Sequence, residues 1–253
     1  MVKKNIVLEK ITKGEVALGG WVMSNSVVAA EIMSLAGFSW VCVDGEHSQA
    51  GKETIVNMFR AIERYGAEPF VRVSHNDEIE IKKYLDMGAQ GIIIPMIKSY
   101  QDVKRAISYI KYAPEGIRSF ALPRCTGYGE WADDYYRKAN QEIMIVIMIE
   151  HVDALSDLDE IFSCKDIHAV LVGPYDLSGS MNIPGDLKNP LFKDALHLIR
   201  QKALNHGITM GYHEVHPSVE SIRMLMEDGI KFIACGMDTI FLLEQSRLFA
   251  KIN

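Results

Sequence analysis

Several ionisable residues stand at the ends of apolar, strand-like stretches, where a fold can bring them together. Asp44, Glu46 and His47 come directly after one such stretch, Arg72 lies near the end of the next, and Glu150 closes a third. A buried parallel strand whose carboxyl end opens into a polar pocket has this pattern. For any single stretch, a core strand followed by an ordinary polar loop explains the residues equally well, so the rest of the chain must decide.

The residue types at these positions suit chemistry on an anionic, oxygen-rich substrate. Glu150 and Asp176 make a pair of carboxylates that could hold a hard divalent cation together with water. Arg72 offers a planar fork for carboxylate or carbonyl oxygen, and His47 offers a proton acceptor near neutral pH. Structural explanations stay open: Arg72 could pair with Glu150 or Asp176, Glu150 could cap a helix, and His47 could be an ordinary loop residue.

A further polar group closes the seventh strand-like stretch. His213, Glu214 and His216 are expected to face the same pocket, and they make a second, weaker candidate for a metal site. The other histidines are interpreted as solvated or structural, because they fall in helix or loop contexts: His75, His151, His168, His197 and His206.

Short stretches rich in Val and Ile alternate with helix-like segments along the chain. This alternation predicts parallel strands covered by helices, and eight units suit a closed (β/α)8 TIM barrel, with a doubly wound open sheet as the runner-up. A chain of 253 residues with 48% hydrophobic composition can form such a barrel as one domain over residues 1–253. The predicted strands are 16–22, 40–43, 69–73, 91–96, 144–150, 169–174, 208–213 and 232–236.

The connection over residues 111–141 is longer than the others. Long structured loops in compact domains often carry function, so this segment is a candidate lid, with a surface excursion as the alternative.

Charge and composition exclude some classes of partner. The net charge of -6 argues against a general surface for nucleic acid or anionic membrane. We expect a cytoplasmic protein, because no apolar run approaches the ~18 residues of a membrane span and no signal-peptide core follows Met1. The cysteines form no C-x-x-C pair, so neither a zinc site nor a disulfide framework is indicated, and Cys42 and Cys235 read as core residues.

Seven motifs follow one another along the chain: Asp44-Gly45-Glu46-His47, Val71-Arg72-Val73, Ile81 to Gly91, Ile94-Pro95-Met96, Pro114-Glu115-Gly116-Ile117-Arg118, Ile149-Glu150 and Gly173-Pro174-Tyr175-Asp176-Leu177-Ser178. Taken together, they resemble the HpcH/HpaI aldolase family, the metal-dependent class II pyruvate aldolases. The resemblance runs from about residue 16 to residue 250 with the motifs in order. It implies a barrel of the phosphoenolpyruvate/pyruvate type and reversible cleavage of a 4-hydroxy-2-oxo acid into pyruvate, or a close 2-oxo acid, and an aldehyde.

The resemblance also implies a role for individual residues. Glu150 and Asp176 match the metal ligands, with Mg²⁺ or Mn²⁺ as the expected ion and Co²⁺ or Zn²⁺ as alternatives. Arg72 matches the group that steadies the enolate oxygen, and His47 matches the general base. Asp86 matches the carboxylate that raises the basicity of His47, and a neighbouring chain would have to bring it there.

Two positions depart from the family pattern. Met148 stands where a glutamine commonly contacts the substrate, and Tyr175 stands where a small residue is usual. Both changes put the identity of the substrate in question and indicate a divergent member. The expected substrate-binding residues are Arg72, Met148, Gly173, Pro174, Tyr175 and Asp176.

The resemblance further implies a homo-oligomer, a hexamer or a trimer, in which the C-terminal helix over 238–250 swaps between subunits. The expected partners are small molecules, a 2-oxo acid and an aldehyde. Two other functions are kept as alternatives. One is cleavage of a citramalyl or malyl thioester on the same type of site, and the other is a barrel that binds a 2-oxo acid without turnover.

Overall fold

A computed structural model describes residues 4–252 and contains a closed barrel of eight parallel strands in chain order, in which the last strand pairs with the first. The predicted (β/α)8 barrel is therefore confirmed, and the open-sheet alternative is wrong. The strands are β1 (Ala17–Val22), β2 (Trp40–Asp44), β3 (Glu68–Arg72), β4 (Gly91–Ile94), β5 (Met144–Ile149), β6 (Ala169–Val172), β7 (Thr209–Glu214) and β8 (Phe232–Cys235).

Helices cover the outside of the barrel and connect successive strands. Among the residues described, none of these helices combines the length and the apolar character needed to cross a membrane. The helices are α1 (Ile6–Thr12), α2 (Val27–Leu35), α3 (Lys52–Glu63), α4 (Glu78–Met87), α5 (Tyr100–Ile110), α6 (Ala132–Glu142), α7 (Leu158–Ser163), α8 (Pro174–Ser180), α9 (Pro190–Asn205), α10 (Val219–Glu227) and α11 (Asp238–Ala250).

Side chains alternate between the inside of the barrel and the helix layer, as expected for strands. Trp40 stacks on Phe232 inside the barrel, with ring centroids 4.2 Å apart, and Phe70 lies 5.2 Å from Trp40. These rings need room, and a Cβ at Gly19 or Gly91 would overlap the Trp40 or Phe70 ring, respectively. The lower barrel is therefore a filled core, and a pocket can form only at its carboxyl end.

The same alternation directs polar side chains into that carboxyl end. On β2 the side chains of Trp40, Cys42 and Asp44 point into the barrel. On β3 the side chains of Phe70 and Arg72 do the same. Cys42 and Cys235 are both buried, as predicted, although Cys235 faces the helix layer. The strand-end pattern of the sequence thus corresponds to one ring of inward-facing residues.

The long segment 111–141 is structured by a 3-10 turn over Arg124–Gly129 and by the start of α6. Arg124 pairs with Glu63 at the end of α3 and donates to the carbonyl of Met87 at the end of α4, at 2.7 Å. Barrel helices run opposite to the strands, so these helix ends lie near the amino ends of the strands. The segment therefore packs at the end of the barrel away from its own protomer's pocket. Its role as a lid stays a prediction, and such a lid would have to cover the pocket of another subunit.

Candidate active site

Asp44 and Arg72 form the centre of the polar ring. Their Cα atoms are register partners on β2 and β3, and the carboxylate of Asp44 accepts from Arg72 Nε at 3.2 Å and also from Nη2. Trp21 Nε1 donates to Asp44 Oδ2 at 3.0 Å. Burial alone would raise the pKa of Asp44, but the Arg72 charge and these hydrogen bonds outweigh it and lower the pKa. Asp44 is therefore a fixed negative charge that orients the guanidinium.

The turn after β2 is built on the same carboxylate. The main-chain N–H groups of Glu46 and His47 both donate to Asp44 Oδ1, at 2.9 and 3.0 Å. This turn places Glu46 Oε2 3.3 Å from Arg72 Nη1 and 3.8 Å from His47 Nε2. The His47 side chain is 59% exposed, so it stands at the mouth of the barrel and can reach a ligand. Burial raises the pKa of Glu46 despite Arg72 nearby.

Glu150 lies just past the end of β5 and is almost fully buried. One carboxylate oxygen accepts from the main-chain N–H of Met96 at 2.7 Å, and the other occupies the space that a side chain at position 173 would take, where the chain has Gly173. Met96 has a φ of 54°, a left-handed conformation that is uncommon outside glycine and often found at functional sites. Burial, with a smaller contribution from Asp176, raises the pKa of Glu150 to about 7.

Asp176 projects from the first turn of α8, directly after β6, and is exposed to solvent. Its charge acts on both Glu150 and Glu46, so three carboxylates share one region of the pocket. A hard divalent cation between Glu150 and Asp176 would offset this excess of negative charge, and the oxygen donors suit it. Among residues 4–252 no three metal-ligating side chains converge, so water and substrate would supply the remaining ligands.

The two unusual residues have different environments. Met148 faces inward on β5 and is buried at the top of the barrel core, directly below Glu150. Tyr175 follows Pro174 in the first turn of α8 and is 53% exposed. Met148 therefore forms an apolar floor, and Tyr175 lies on the rim.

Among the catalytic and metal-binding residues that the family resemblance implies, Asp86 is the one that the structure does not bring to the others. It lies near the end of α4, towards the amino ends of the strands, and its carboxylate accepts from Arg118 Nη2 at 2.9 Å. Arg118 is itself buried and also donates to the hydroxyl of Tyr135 at 3.1 Å. Within one protomer Asp86 and His47 lie at opposite ends of the barrel, so the role of Asp86 stays a prediction.

The polar end of β7 divides between two sides of the barrel wall. His213 faces inward, where its ring stacks on Trp21 at 4.7 Å between centroids. Glu214 faces outward and lines a cavity between α9 and α10, while exposed His216 pairs with Glu244 at 2.8 Å. The prediction that all three residues face the pocket is therefore wrong for Glu214, because alternate strand residues face opposite sides, and for His216, which lies beyond the end of β7 and pairs with α11. The second metal site is absent from the residues described, for the same reason.

Sequence reasoning missed two contributors. Trp21 falls within the predicted strand 16–22 and has no predicted role, although its ring contacts His213 and lies 5.2 Å from the Arg72 guanidinium. Asp44 is predicted at its strand end, but the sequence suggests only Glu150 or Asp176 as the alternative ion-pair partner of Arg72, whose predicted role is to bind an anionic substrate. The sequence does contain a signal for this pair. Two consecutive strands end in an acid and a base, Asp44 and Arg72, and neighbouring parallel strands place their last residues side by side.

Known proteins of similar sequence and fold identify the family of this chain. The family model for HpcH/HpaI aldolase/citrate lyase matches residues 18–244. The 4-hydroxy-2-oxo-heptane-1,7-dioate aldolase of Klebsiella pneumoniae is 31% identical over 252 residues, covering 97% of this chain and 92% of that protein. A crystal structure of an HpcH/HpaI aldolase/citrate lyase family protein from Burkholderia cenocepacia superposes with a TM-score of 0.92 at 25% identity, covering 98% of both chains.

A crystal structure of the citrate synthase SbnG is also similar, with a TM-score of 0.84 at 26% identity over 96% of each chain. Related barrels therefore carry names for different carbon-carbon bond reactions. Because the family model and the curated relative both span most of the sequence, the chain belongs to the HpcH/HpaI aldolase/citrate lyase family.

Proposed function

We propose that this protein is a class II aldolase, a carbon-carbon lyase that reversibly cleaves a 4-hydroxy-2-oxo acid into pyruvate, or a close 2-oxo acid, and an aldehyde. The family membership and the aldolase relatives support this activity. The observation that carries it is the placement of Arg72, held by Asp44, at the same barrel end as Glu150, Asp176 and His47.

The family is generally dependent on a divalent metal ion. In this chain Glu150 and Asp176 would hold it, and we favour Mg²⁺ or Mn²⁺ because the protein donors are carboxylate oxygens. When bound, the ion supplies Lewis-acid polarisation of the 2-oxo group.

The residues of the chain supply proton transfer and charge stabilisation. His47 accepts the proton of the 4-hydroxyl group as the C3–C4 bond breaks, which releases the aldehyde and leaves the bonding electrons on the pyruvate fragment as an enolate. Arg72 donates hydrogen bonds to the negatively charged enolate oxygen. Return of this proton from His47, directly or through water, to C3 of the enolate then gives pyruvate and restores the neutral imidazole. Asp44 takes no proton in this scheme and keeps the guanidinium in position.

The walls around the reacting atoms complete the proposed substrate site. Gly173 lies beside the Glu150 carboxylate and has no side chain that would displace it, and Pro174 follows as the first residue of α8. Met148 offers the substrate an apolar contact and no hydrogen bond, and Tyr175 narrows the entrance of the pocket. These walls support a 2-oxo acid substrate as small as pyruvate.

The exposed surface of α11 supports a homo-oligomer in which this helix swaps between subunits. Leu242, Leu248 and Phe249 on α11 are 71%, 63% and 71% exposed. On α2, Ile32 and Leu35 are 57% and 62% exposed, so both helices present apolar faces typical of interaction surfaces. Light scattering of purified protein tests this point, since Leu242→Glu should shift the mass towards the monomer.

The activity is tested by proton NMR of pyruvate in heavy water. With Mg²⁺ or Mn²⁺ added, the methyl signal should decay as enolate formation exchanges protons for deuterium, and a chelator should stop the decay. Cleavage of a 4-hydroxy-2-oxo acid, coupled to a pyruvate assay, should then follow the same metal dependence. A barrel that binds a 2-oxo acid without turnover would show neither reaction, which would overturn the proposal.

A further inference from the structure

The imidazole of His213 lies in the wall of the pocket with one nitrogen unpaired. Its ring stacks on Trp21 with an interplanar angle of 21°. Its Nε2 atom is buried and has no hydrogen-bond partner in the protein. A buried polar atom without a partner destabilises a fold, and such atoms at a site often await a ligand.

The position of His213 relates it to one half of the substrate. Glu150 and Asp176 at the ends of β5 and β6, together with Arg72 on β3, would surround the 2-oxo acid half. The rest of the barrel mouth is formed by β7, β8 and β1, where His213 stacks on Trp21, and the Trp21 ring lies 5.2 Å from the Arg72 guanidinium. An aldehyde half, made of C4 and the atoms beyond it, would meet this wall if it extends from Arg72 towards β7.

The chemistry of the imidazole limits what it can recognise. Burial, helped by the nearby charge of Arg72, lowers the pKa of His213 to about 4. The ring is therefore neutral at pH 7 and offers one hydrogen bond but no charge. The Asp44 carboxylate acts on His213 less than Arg72 does, and these two residues are paired with each other. The neutral ring therefore has no charge with which to bind a second carboxylate of a substrate. A neutral hydroxyl group matches the unpaired nitrogen better than a carboxylate or a methyl group does.

We propose that His213 is a specificity-determining residue whose Nε2 hydrogen-bonds a hydroxyl group on the aldehyde half of the substrate, so that the enzyme favours hydroxylated over apolar or carboxylated aldehydes. This inference rests on the proposed aldolase function. It distinguishes this chain from the relatives named for a dioate, whose aldehyde product carries a carboxylate.

The test compares aldehyde pairs of equal size in aldol addition to pyruvate. Glycolaldehyde is matched with propanal, and 2-hydroxypropanal with 2-methylpropanal, with succinic semialdehyde as the carboxylated acceptor. For the wild type, kcat/KM should favour the hydroxylated member of each pair and disfavour succinic semialdehyde. In His213→Leu the ratio of hydroxylated to apolar aldehyde should fall about tenfold, and His213→Gln should recover part of it.

Controls separate this role from a structural one. Tyr212→Phe changes the adjacent residue on the outer side of β7 and should leave the ratio unchanged. Metal-dependent deuterium exchange into pyruvate needs no aldehyde, and it should remain in every variant. Equal ratios in the wild type, His213→Leu and His213→Gln, with exchange retained, would overturn the role of His213 alone. Absence of exchange in the wild type would overturn the aldolase function and this inference with it.

Discussion

Asp44 and Arg72 face each other across one register position of β2 and β3, and two edges of the same guanidinium serve different purposes. Nε and Nη2 are bound by the Asp44 carboxylate, whereas Nη1 lies 3.3 Å from Glu46 Oε2 at the pocket. Both partners are buried. The strand pair therefore fixes the orientation of a charge that the reaction needs, which is a form of preorganisation.

Replacing Asp44 should impair both folding and chemistry. In Asp44→Asn the buried guanidinium loses its counter-charge, and breaking a buried ion pair in this way costs about 3–5 kcal/mol. We expect a lower midpoint of unfolding in urea and a loss of pyruvate deuterium exchange at saturating metal. Glu9→Gln, which breaks an exposed pair with Lys13, should change neither measurement. Normal exchange in a stable Asp44→Asn protein would show that Arg72 orients itself without Asp44.

Adding one methyl group beside Glu150 should weaken metal binding. In Gly173→Ala the new Cβ would lie 2.8 Å from the Glu150 Cβ and would overlap its Oε2, so the carboxylate has to move. Changes next to a metal ligand commonly reduce affinity about 10- to 100-fold, and Mn²⁺ titration followed by electron paramagnetic resonance measures this directly. Gly179→Ala in the same helix meets no atom within 4 Å and should bind Mn²⁺ as the wild type does. Equal affinity in both variants would remove Glu150 from the proposed ligands.

His47 should be needed for turnover but not for binding. In His47→Ala the proton acceptor for the 4-hydroxyl group is lost, so cleavage should fall about 10²- to 10⁴-fold while Mn²⁺ and pyruvate still bind. His75, an exposed histidine in the loop after β3, provides the matched control, and His75→Ala should cleave normally. Unchanged cleavage by His47→Ala would show that another group accepts the proton.

Mixed oligomers can decide whether Asp86 acts on a neighbouring subunit. If Asp86 of one subunit supports His47 of another, co-expressed His47→Ala and Asp86→Asn chains should form some sites with both native residues. Random pairing would restore about a quarter of the wild-type activity, although each variant alone is nearly inactive. Co-expressed chains that stay inactive would place the role of Asp86 in its own protomer, where it binds Arg118.

The barrel fold could be predicted because strand and helix patterns are visible in short stretches of sequence. Contacts between side chains on different strands could not, because they depend on how far one strand is shifted along the next. Alternation of strand-like and helix-like stretches predicted every end of the eight strands to within two residues. The strand-end positions of Arg72 and Glu150 followed from these predicted ends. The partner of Arg72 did not follow, because pairing with Asp44 requires the relative shift of β2 and β3. The predicted position of Glu214 was wrong for a related reason. Neighbouring residues of a strand point to opposite sides, so His213 faces the pocket and Glu214 faces the helix layer.

The acid sensitivity of the fold should depend on His168, which is remote from the pocket. Its Nδ1 accepts from the main-chain N–H of Ile145 at 3.0 Å, and burial together with Lys111 lowers its pKa to about 4. An unfolded histidine has a pKa of about 6.5 and binds the proton more readily, so stability is full above pH 6.5 and falls as the pH drops towards 4. The loss is on the order of 1–3 kcal/mol, and His213 adds a slope of the same sign.

Urea unfolding between pH 7.5 and pH 4.5 measures this dependence. His168→Asn keeps an acceptor for Ile145 N–H but has no titrating ring, so its unfolding midpoint should fall less steeply with acid than that of the wild type. His75→Asn replaces an exposed histidine and should keep the wild-type slope. If His168→Asn and the wild type lose stability in parallel over this range, protonation of His168 does not limit the fold, and other groups must bind the protons taken up on unfolding.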